Sequence, residues 1–500
     1  MKLENGSVIT LNDFLNNPKG LMIAAAGHGK TYCITECVKL SNDKYCQLVL
    51  THTHAGISSL KEKFSEKCIN TRKYDIQTIT GFSQRLVFAF CNKNDIPYSQ
   101  DDNLYFPWVI KKATQLLSIK SIQKIIQISY HGLFVDEYQD CDTSQHSLVM
   151  LLGNLIPVHI FGDPLQGIFD FNGKKVNFAK DLNQFAQFNL LQKPWRWLIN
   201  NNNPELGKCI LRYRNELCTN RTEFTLINNR KSGFNVIIPC GGNEIAQLMY
   251  ISAVVRNIKS ESVLVLVPSY HDMSQDRLRG DCNDRAKIKN QLSLYGYTLI
   301  EAIDQKDYYS TASKIDETYI KIRRARFKVK KIFDILLRLS FNKSELEDWI
   351  DVGNDRVRNR RKEFSKKSEC LATMCNTFIV NPCSESLLPI IDFFLFEQRT
   401  KNKRPGIAYT NRKCVANSIL NGDSVYENMN QYKNKIRMSG RKVFGKCIGT
   451  TLLTKGLEFD TVIILEANHI RDKRNFYVAI SRACKELYIF TNSYNIHLDP

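Results

Sequence analysis

The sequence predicts an α/β protein whose parallel strands end in loops that carry the chemistry. Three short apolar runs, residues 21–25, 132–135 and 158–161, each lead directly into a segment that contains glycine or acidic residues. The first run is followed by residues 32–38, whose apolar spacing is that of a helix, so the local order is strand, loop, helix. In α/β proteins ligands bind at the carboxyl ends of strands. The three strand ends are therefore expected to form one site.

The length and charge of the chain limit its class. A chain of 500 residues exceeds what one hydrophobic core supports and suggests about three domains or subdomains. With 70 Lys and Arg against 50 Asp and Glu the net charge is +20, which favours a polyanionic partner. Nucleic acid is the simplest such partner, and an anionic membrane surface is the weaker alternative.

The sequence also indicates where the protein works. It has no apolar run long enough to span a membrane and no secretory leader at its N-terminus, so we expect a cytoplasmic protein that does not bind a membrane. The 16 cysteines form no CxxC pair, which is typical of reduced thiols in a protein of this size.

The first strand end carries a phosphate-binding pattern. Its sequence AGHGKT approximates the Walker A pattern GxxxxGK[ST], although Ala24 occupies the position of the first glycine, and a chance glycine loop is the alternative. In this pattern backbone N–H groups surround the phosphates and the helix N-terminus adds its positive end. Lys30 is predicted to reach the β- and γ-phosphates and Thr31 to hold Mg²⁺. The predicted nucleotide contacts are Ala26, Gly27, His28, Gly29, Lys30 and Thr31.

The other two strand ends supply two carboxylates and an amide. Asp136 and Glu137 follow the second apolar run, where Asp136 can bind Mg²⁺ and Glu137 can polarise the attacking water. A surface acidic turn is the alternative for these two residues. Gln166 follows the third run and is placed to sense a γ-phosphate.

Six blocks in chain order resemble the motifs of the UvrD/Rep-like helicases of superfamily 1. AAAGHGKT, DEYQD and GDPLQGIFDF are similar to motifs I, II and III, LQKPWR occupies the place of motif IV, and KGLEF and YVAISRA resemble motifs V and VI. The resemblance implies two RecA-like P-loop NTPase domains with ATP at their interface, each with an inserted, mainly helical subdomain. The implied segments are 1–83 with 130–195 for the first core, 84–129 for a short first insertion, 196–275 with 400–500 for the second core, and 276–399 for a basic second insertion. Strands of the second core are expected at residues 263–267, 407–409 and 462–465.

The resemblance also implies roles for single residues. Arg196 and Arg482 match the two arginines that meet the γ-phosphate across the cleft, and Glu458 matches a residue near the ribose and triphosphate. Trp195 replaces the tyrosine that stacks on adenine. Tyr32 stands where many members have an arginine beside the base, and no glutamine precedes the P-loop. Selection of ATP over GTP therefore stays open.

Two kinds of residue are predicted to bind DNA. By the same resemblance His52 and Thr53 lie in motif Ia, Phe82 in motif Ib and Phe171 in motif III, where aromatic rings stack on bases; the alternative for Phe171 is an ordinary core position. Three basic runs, residues 321–330, 356–362 and 433–442, favour phosphate contacts or are solvated helix faces. Their predicted contacts are Arg323, Arg324, Arg326, Arg437 and Arg441.

The function implied by the resemblance is an ATP- and Mg²⁺-dependent DNA helicase or translocase that moves along single-stranded or partly duplex DNA, in the family usually 3′ to 5′. The alternative is a DNA-stimulated ATPase that acts as sensor or regulatory subunit of a nuclease partner in DNA repair or anti-phage defence, as compact UvrD-like proteins of systems such as Gabija appear to do. An inactive P-loop scaffold conflicts with the intact Lys30, Asp136, Glu137, Gln166 and Arg482.

Overall fold

The structure is a computed structural model that describes residues 10–42, 44–168, 175–199, 203–239, 244–267, 270–272, 277–279, 282–300, 306–359, 364–439, 443 and 445–499. The chain divides into two compact units, Met1–Glu301 with Arg437–Pro500, and Ala302–Ile436. The larger unit contains two parallel six-stranded sheets, and the smaller unit is mainly helical.

The described α-helices share no single arrangement and are given in chain order. They are α1 (Leu11–Asn16), α2 (Lys30–Leu40), α3 (His54–Glu66), α4 (Ile79–Phe90), α5 (Tyr105–Leu116), α6 (Lys120–Ser129), α7 (Thr143–Gly153), α8 (Phe178–Asp181), α9 (Trp195–Leu198), α10 (Pro204–Leu217), α11 (Glu244–Asn257), α12 (Cys282–Gln291), α13 (Lys306–Lys321), α14 (Lys328–Arg338), α15 (Lys343–Glu347), α16 (Ser365–Val380), α17 (Ser384–Asp392), α18 (Pro405–Asn421), α19 (Val425–Ser439), α20 (Thr451–Thr454) and α21 (Lys473–Ile480).

The first sheet brings the three predicted strand ends together. Its strands are β1 (Lys19–Ile23), β2 (Gln47–Thr51), β3 (Tyr74–Thr78), β4 (Gly132–Val135), β5 (Val158–Gly162) and β6 (Ala186–Gln187). They are parallel and lie in the order β3-β2-β4-β5-β1-β6, so the motif strands β4, β5 and β1 are neighbours. Every residue of β2, β4 and β5 is buried, because a parallel sheet is covered on both faces. This burial explains the continuous apolar runs in the sequence.

The second sheet has the same parallel arrangement. Its strands are β7 (Phe234–Ile237), β8 (Val263–Leu266), β9 (Thr298–Leu299), β10 (Lys446–Gly449), β11 (Phe459–Ile464) and β12 (Ala483–Phe490), in the order β9-β10-β8-β11-β12-β7. Two parallel sheets with flanking helices confirm the predicted pair of α/β domains. Three antiparallel pairs complete the described strands: Glu223–Thr225 with Asn495–His497, Tyr270–Asp272 with Arg277–Arg279, and Ile350–Asp351 with Arg356–Val357.

The second core differs from its predicted outline. The strand expected at residues 407–409 is wrong, because this segment begins α18. Ile407, Ala408, Asn411, Cys414 and Val415 are buried at helical spacing, and a short apolar run alone does not distinguish a strand from a buried helix. Residues 400–436 belong to the smaller unit, whereas β9 and α12, from the predicted insertion 276–399, belong to the larger one.

The predicted first insertion, residues 84–129, packs closely against the first sheet. Side chains of α4, α5 and α6, including Leu86, Val109 and Ile122, share one apolar cluster with Leu133 and Ile160 of the sheet. Among the described residues, no helix combines the length and apolar character that crossing a membrane requires.

Candidate nucleotide site

The loop between β1 and α2 has the backbone shape that close phosphate contact requires. Gly27 (φ 73°) and Gly29 (φ 89°) adopt left-handed conformations, which other residues tolerate poorly. A Cβ at Gly27 would lie 2.8 Å from the Cβ of Arg196, so a side chain has no room there. Helix α2 begins at Lys30, and its N-terminal N–H groups and positive end therefore follow the loop directly.

The side chains of this loop take different directions. The Lys30 ammonium group donates to the carbonyl oxygens of Ala24 (2.8 Å) and Ala25 (3.3 Å), and both Lys30 and Thr31 line a cavity. The His28 ring turns back instead: its Nδ1 lies 3.0 Å from the Ala26 carbonyl oxygen and the residue is buried. Any contact of His28 with a nucleotide would therefore be made by its backbone.

The two carboxylates lie at the end of β4 and differ in ionisation. Burial raises the pKa of Asp136. Burial would also raise the pKa of Glu137, but the charges of Lys455 and Lys30 reverse this effect and hold the pKa below its ordinary value. Glu137 has a left-handed backbone (φ 56°, ψ 41°), which costs about 1–3 kcal/mol in a residue other than glycine and is common at functional sites. The Gln139 amide donates to its carboxylate.

Gln166 connects the first core to the second. It ends a short 3₁₀ helix, Pro164–Gln166, that follows β5. Its Nε2 donates to Asp163 Oδ2 (2.9 Å), and its Oε1 accepts from Arg482 Nη2 (3.2 Å). A change in the position of Arg482 would therefore be felt at the end of β5.

Two arginines of the second core lie side by side. Arg482 Nη2 donates to Ser481 Oγ (2.9 Å), and Arg196 Nη1 donates to the carbonyl oxygen of the same serine (2.5 Å). Arg196 also pairs with Glu458 (2.7 Å). Burial and the neighbouring Arg196 lower the pKa of Arg482 to about 10. Two guanidinium groups this close create a strong preference for an anion.

A cavity of about 820 Å³ collects these groups from both sheets. Trp195 and Tyr32, with 42% and 49% of their surface exposed, supply two aromatic rings to its wall. The structure thus brings together most of the predicted nucleotide-site residues. Those that line the cavity are Ala26, Gly27, Gly29, Lys30, Thr31, Tyr32, Asp136, Glu137, Gln166, Trp195, Arg196, Glu458 and Arg482.

Comparison with known protein families agrees with this arrangement. Residues 9–172 match a family model described as an AAA domain, and residues 357–491 match one described as a viral superfamily 1 RNA helicase core domain. The chain belongs to the superfamily 1 helicases. This confirms the resemblance found in the six motifs.

Two curated relatives are similar to this superfamily 1 protein over most of its length. The Gabija protein GajB of Bacillus cereus (strain VD045) is 24% identical over 375 residues, which cover 73% of this chain and 64% of the relative. The ATP-dependent DNA helicase Rep of Buchnera aphidicola subsp. Schizaphis graminum is 24% identical over 353 residues, which cover 69% of this chain and 47% of the relative. The chain thus spans less than two thirds of the length of either relative.

Several contacts between the two cores of this superfamily 1 protein were not predicted. Lys455 of the KGLEF block forms a fully buried ion pair with Asp140 of the DEYQD block. Arg214 on α10 pairs with Asp163 (3.1 Å), and the Ala26 backbone N–H donates to the Tyr477 hydroxyl (3.0 Å). Lys455, Asp140, Asp163 and Tyr477 lie inside recognised motifs, but the motifs do not say which side chains pair. No motif contains Arg214.

The residues predicted to bind bases lie in varied surroundings. The half-buried His52 has its Nε2 3.2 Å from Cys141 Sγ, and burial together with Lys455 lowers its pKa to about 3, so the ring is neutral. Thr53 caps α3 by accepting from the Gly56 N–H (3.0 Å). Phe82 is fully buried, which corrects the prediction of a ring open to a base, because the helical spacing of α4 turns it inward. Phe171 lies outside the described residues.

The best-described basic run lies in the smaller unit. Arg323, Arg324 and Arg326 are all exposed, and the Arg326 guanidinium lies 5.2 Å from the centre of the Phe327 ring. The side chain of Arg437 and the whole of Arg441 lie outside the described part of the chain.

Replacing Arg323, Arg324 and Arg326 together by glutamine is expected to weaken DNA binding and flatten its salt dependence. Each lost phosphate contact removes about 0.9 from the slope of log affinity against log salt for duplex, or about 0.7 for single strands. The measurement is DNA affinity at several salt concentrations. The matched control replaces Lys111, Lys112 and Lys120 by glutamine, which removes the same charge elsewhere. Equal slopes for the two variants would show that the arginine run is a solvated face.

Proposed function

We propose that this protein is an ATP-dependent DNA helicase or translocase of the UvrD-like type, which moves along single-stranded DNA from 3′ to 5′ in the cytoplasm. One observation carries the proposal: the cavity that contains Lys30 and Glu137 of the first core also contains Arg196 and Arg482 of the second. Because hydrolysis then needs groups from both cores, each ATP cycle can be coupled to opening and closing of the cleft. Such coupling is what a motor requires.

The side chains divide the work of hydrolysis. Lys30, now bonded to the carbonyl oxygens of Ala24 and Ala25, supplies positive charge at the P-loop. Glu137 is ionised and polarises the attacking water. Arg196 and Arg482 neutralise the charge that develops on the transferred phosphoryl group, and Gln166 ties Arg482 to the first core.

The oxygen donors in the cavity fit Mg²⁺. Asp136 is a buried carboxylate whose charge burial disfavours, so a cation beside it would offset that cost. The Thr31 hydroxyl lines the same cavity, and hard oxygen ligands are those that Mg²⁺ prefers. When bound with ATP, the ion would neutralise phosphate charge, with Thr31 and Asp136 as its protein ligands.

The base of the nucleotide has two exposed rings available. Trp195 and Tyr32 both line the cavity, and either ring can stack on a base. Stacking discriminates poorly between bases because every base has a π-face. We therefore expect ATP as the main substrate, with GTP accepted at a measurable rate.

Single-stranded DNA is expected to raise the steady-state ATPase rate by about 5-fold or more, within the range usual for coupling between two sites. A strand held by both cores favours the closed cleft that Arg196 and Arg482 need. The measurement is phosphate release with and without an oligonucleotide, and an RNA of the same base sequence is the control. Unchanged turnover would contradict the motor while leaving the P-loop assignment intact.

The similarity to a Gabija protein favours a second candidate function. The chain would then be a DNA-stimulated ATPase that senses nucleic acid and regulates a nuclease partner in anti-phage defence or DNA repair. A strand-displacement assay separates the two candidates. Unwinding by the purified protein supports the helicase, whereas DNA-stimulated turnover without unwinding supports the regulatory ATPase.

A further inference from the structure

The ion pair between Lys455 and Asp140 connects the two cores in a site closed to water. Lys455 lies in the loop before β11, and Asp140 ends the 3₁₀ helix Tyr138–Asp140 after β4. Neither side chain has any exposed surface. The same ammonium group also donates to the backbone carbonyl oxygen of Gln166. A buried pair gains little stability because desolvation offsets its attraction, so its main effect is to favour one arrangement of the two cores.

Lys455 lies among the groups assigned to hydrolysis. No other charge opposes the effect of burial on Glu137 as strongly, so the lysine is the main reason why Glu137 is ionised. By holding the Gln166 backbone, it also fixes the residue whose side chain accepts from Arg482. A small shift of this one ammonium group would therefore change the surroundings of Glu137 and of Gln166 together.

The turn that carries Lys455 also reaches the residues predicted to hold DNA. A Cβ on the next residue, Gly456, would lie only 3.8 Å from the Thr53 hydroxyl oxygen. The neighbouring His52 is close enough for the charge of Lys455 to act on its ring. One short turn thus contacts the predicted strand-binding segment on one side and the hydrolytic groups on the other.

We propose that Lys455 is a positioning residue that transmits the binding of a nucleic-acid strand at His52 and Thr53 to Glu137 and Gln166. A strand that moves Thr53 shifts Gly456, and Lys455 moves with it. The ammonium group then changes its distance to the Glu137 carboxylate and to the Gln166 loop. This inference rests on the proposed function, because it requires a strand that stimulates ATP hydrolysis.

The test replaces the ion pair without leaving a lone buried charge. The double variant Lys455→Met/Asp140→Leu exchanges both ions for apolar side chains of similar size. The matched control is Lys485→Met, which removes the lysine of another pair in the second core, Lys485 with Asp460 (3.0 Å). For each protein, kcat and KM for ATP are measured with and without a dT oligonucleotide, together with oligonucleotide Kd and Tm.

The double variant is expected to keep the Tm and oligonucleotide Kd of the parent, while the ratio of kcat with oligonucleotide to kcat without it falls to about one, as for uncoupled sites. Lys485→Met is expected to keep the parent ratio. A double variant that keeps the parent ratio would overturn the proposal and leave the pair a structural contact only.

A second variant covers the case in which the double variant does not fold. Lys455→Arg keeps the charge but displaces it, so its stimulation ratio should lie between one and that of the parent. A full parent ratio in this variant would also overturn the proposal. If the parent itself is not stimulated by the oligonucleotide, the proposed function fails instead, and the two failures are distinguished.

Discussion

Replacing Glu137 by glutamine is expected to lower the ATP turnover number by about 10²- to 10⁴-fold, the usual contribution of a general base. Glutamine has the same size but cannot accept a proton from the attacking water. Because Lys30, Asp136 and Thr31 are untouched, ATP should bind with an affinity near that of the parent. The measurement is single-turnover phosphate release, combined with equilibrium binding of ATP and of a dT oligonucleotide.

The matched control for this variant is Glu205→Gln. Glu205 is exposed on α10 and pairs with Lys208 (2.6 Å), outside the cavity wall. Its replacement should leave turnover unchanged. If Glu137→Gln hydrolysed ATP at the parent rate, the assignment of the water-polarising group would be wrong. A loss of ATP affinity equal to the loss of turnover would place Glu137 in binding rather than hydrolysis.

The first half of the site could be predicted because its groups are local in sequence. Lys30, Glu137 and Gln166 each follow an apolar strand directly, and β1, β4 and β5 are neighbours in one parallel sheet. The carboxyl ends of such strands meet at one edge, so three separate motifs define one place. No knowledge of side-chain packing is needed for that step.

The pairing between the cores could not be predicted in the same way. Lys455 and Asp140 are 315 residues apart, and nothing in either motif requires them to meet. Arg214 lies on a helix without a recognisable motif and still contacts Asp163. Such contacts depend on how two independently folded sheets pack together, which local patterns do not encode.

Local ambiguity accounts for the other differences. Residues 407–409 are apolar enough for a strand but form the start of α18, because the next buried positions continue with a helical period. Phe82 belongs to a segment that resembles a DNA-binding motif, yet its ring lies in the core of the first sheet. A motif identifies a segment, whereas burial decides which of its side chains are available.

Replacing Arg482 by lysine is expected to lower ATP turnover by about 10³- to 10⁵-fold, the range attributed to an arginine that meets the transferred phosphate. The Arg482 guanidinium contacts four partners at once: the carbonyl oxygens of Val478 and Leu457, the Ser481 hydroxyl and the Gln166 side chain. A lysine keeps the charge but lacks this planar fork, so the charge is no longer fixed at the cleft.

Arg412→Lys is the matched control for this last variant, because Arg412 forms a two-point ion pair with Asp392 (2.6 and 2.8 Å) in the smaller unit. Both variants lose a guanidinium fork, and Arg482→Lys also leaves buried hydrogen-bond acceptors without a donor, so its Tm should fall as well. Turnover is therefore compared at a temperature at which both proteins are folded, with ATP saturating. If Arg482→Lys then retained turnover within about tenfold of the parent, a difference of about 1.4 kcal/mol in the barrier, the arginine would be a structural bridge to Gln166 and not a group that stabilises the transition state.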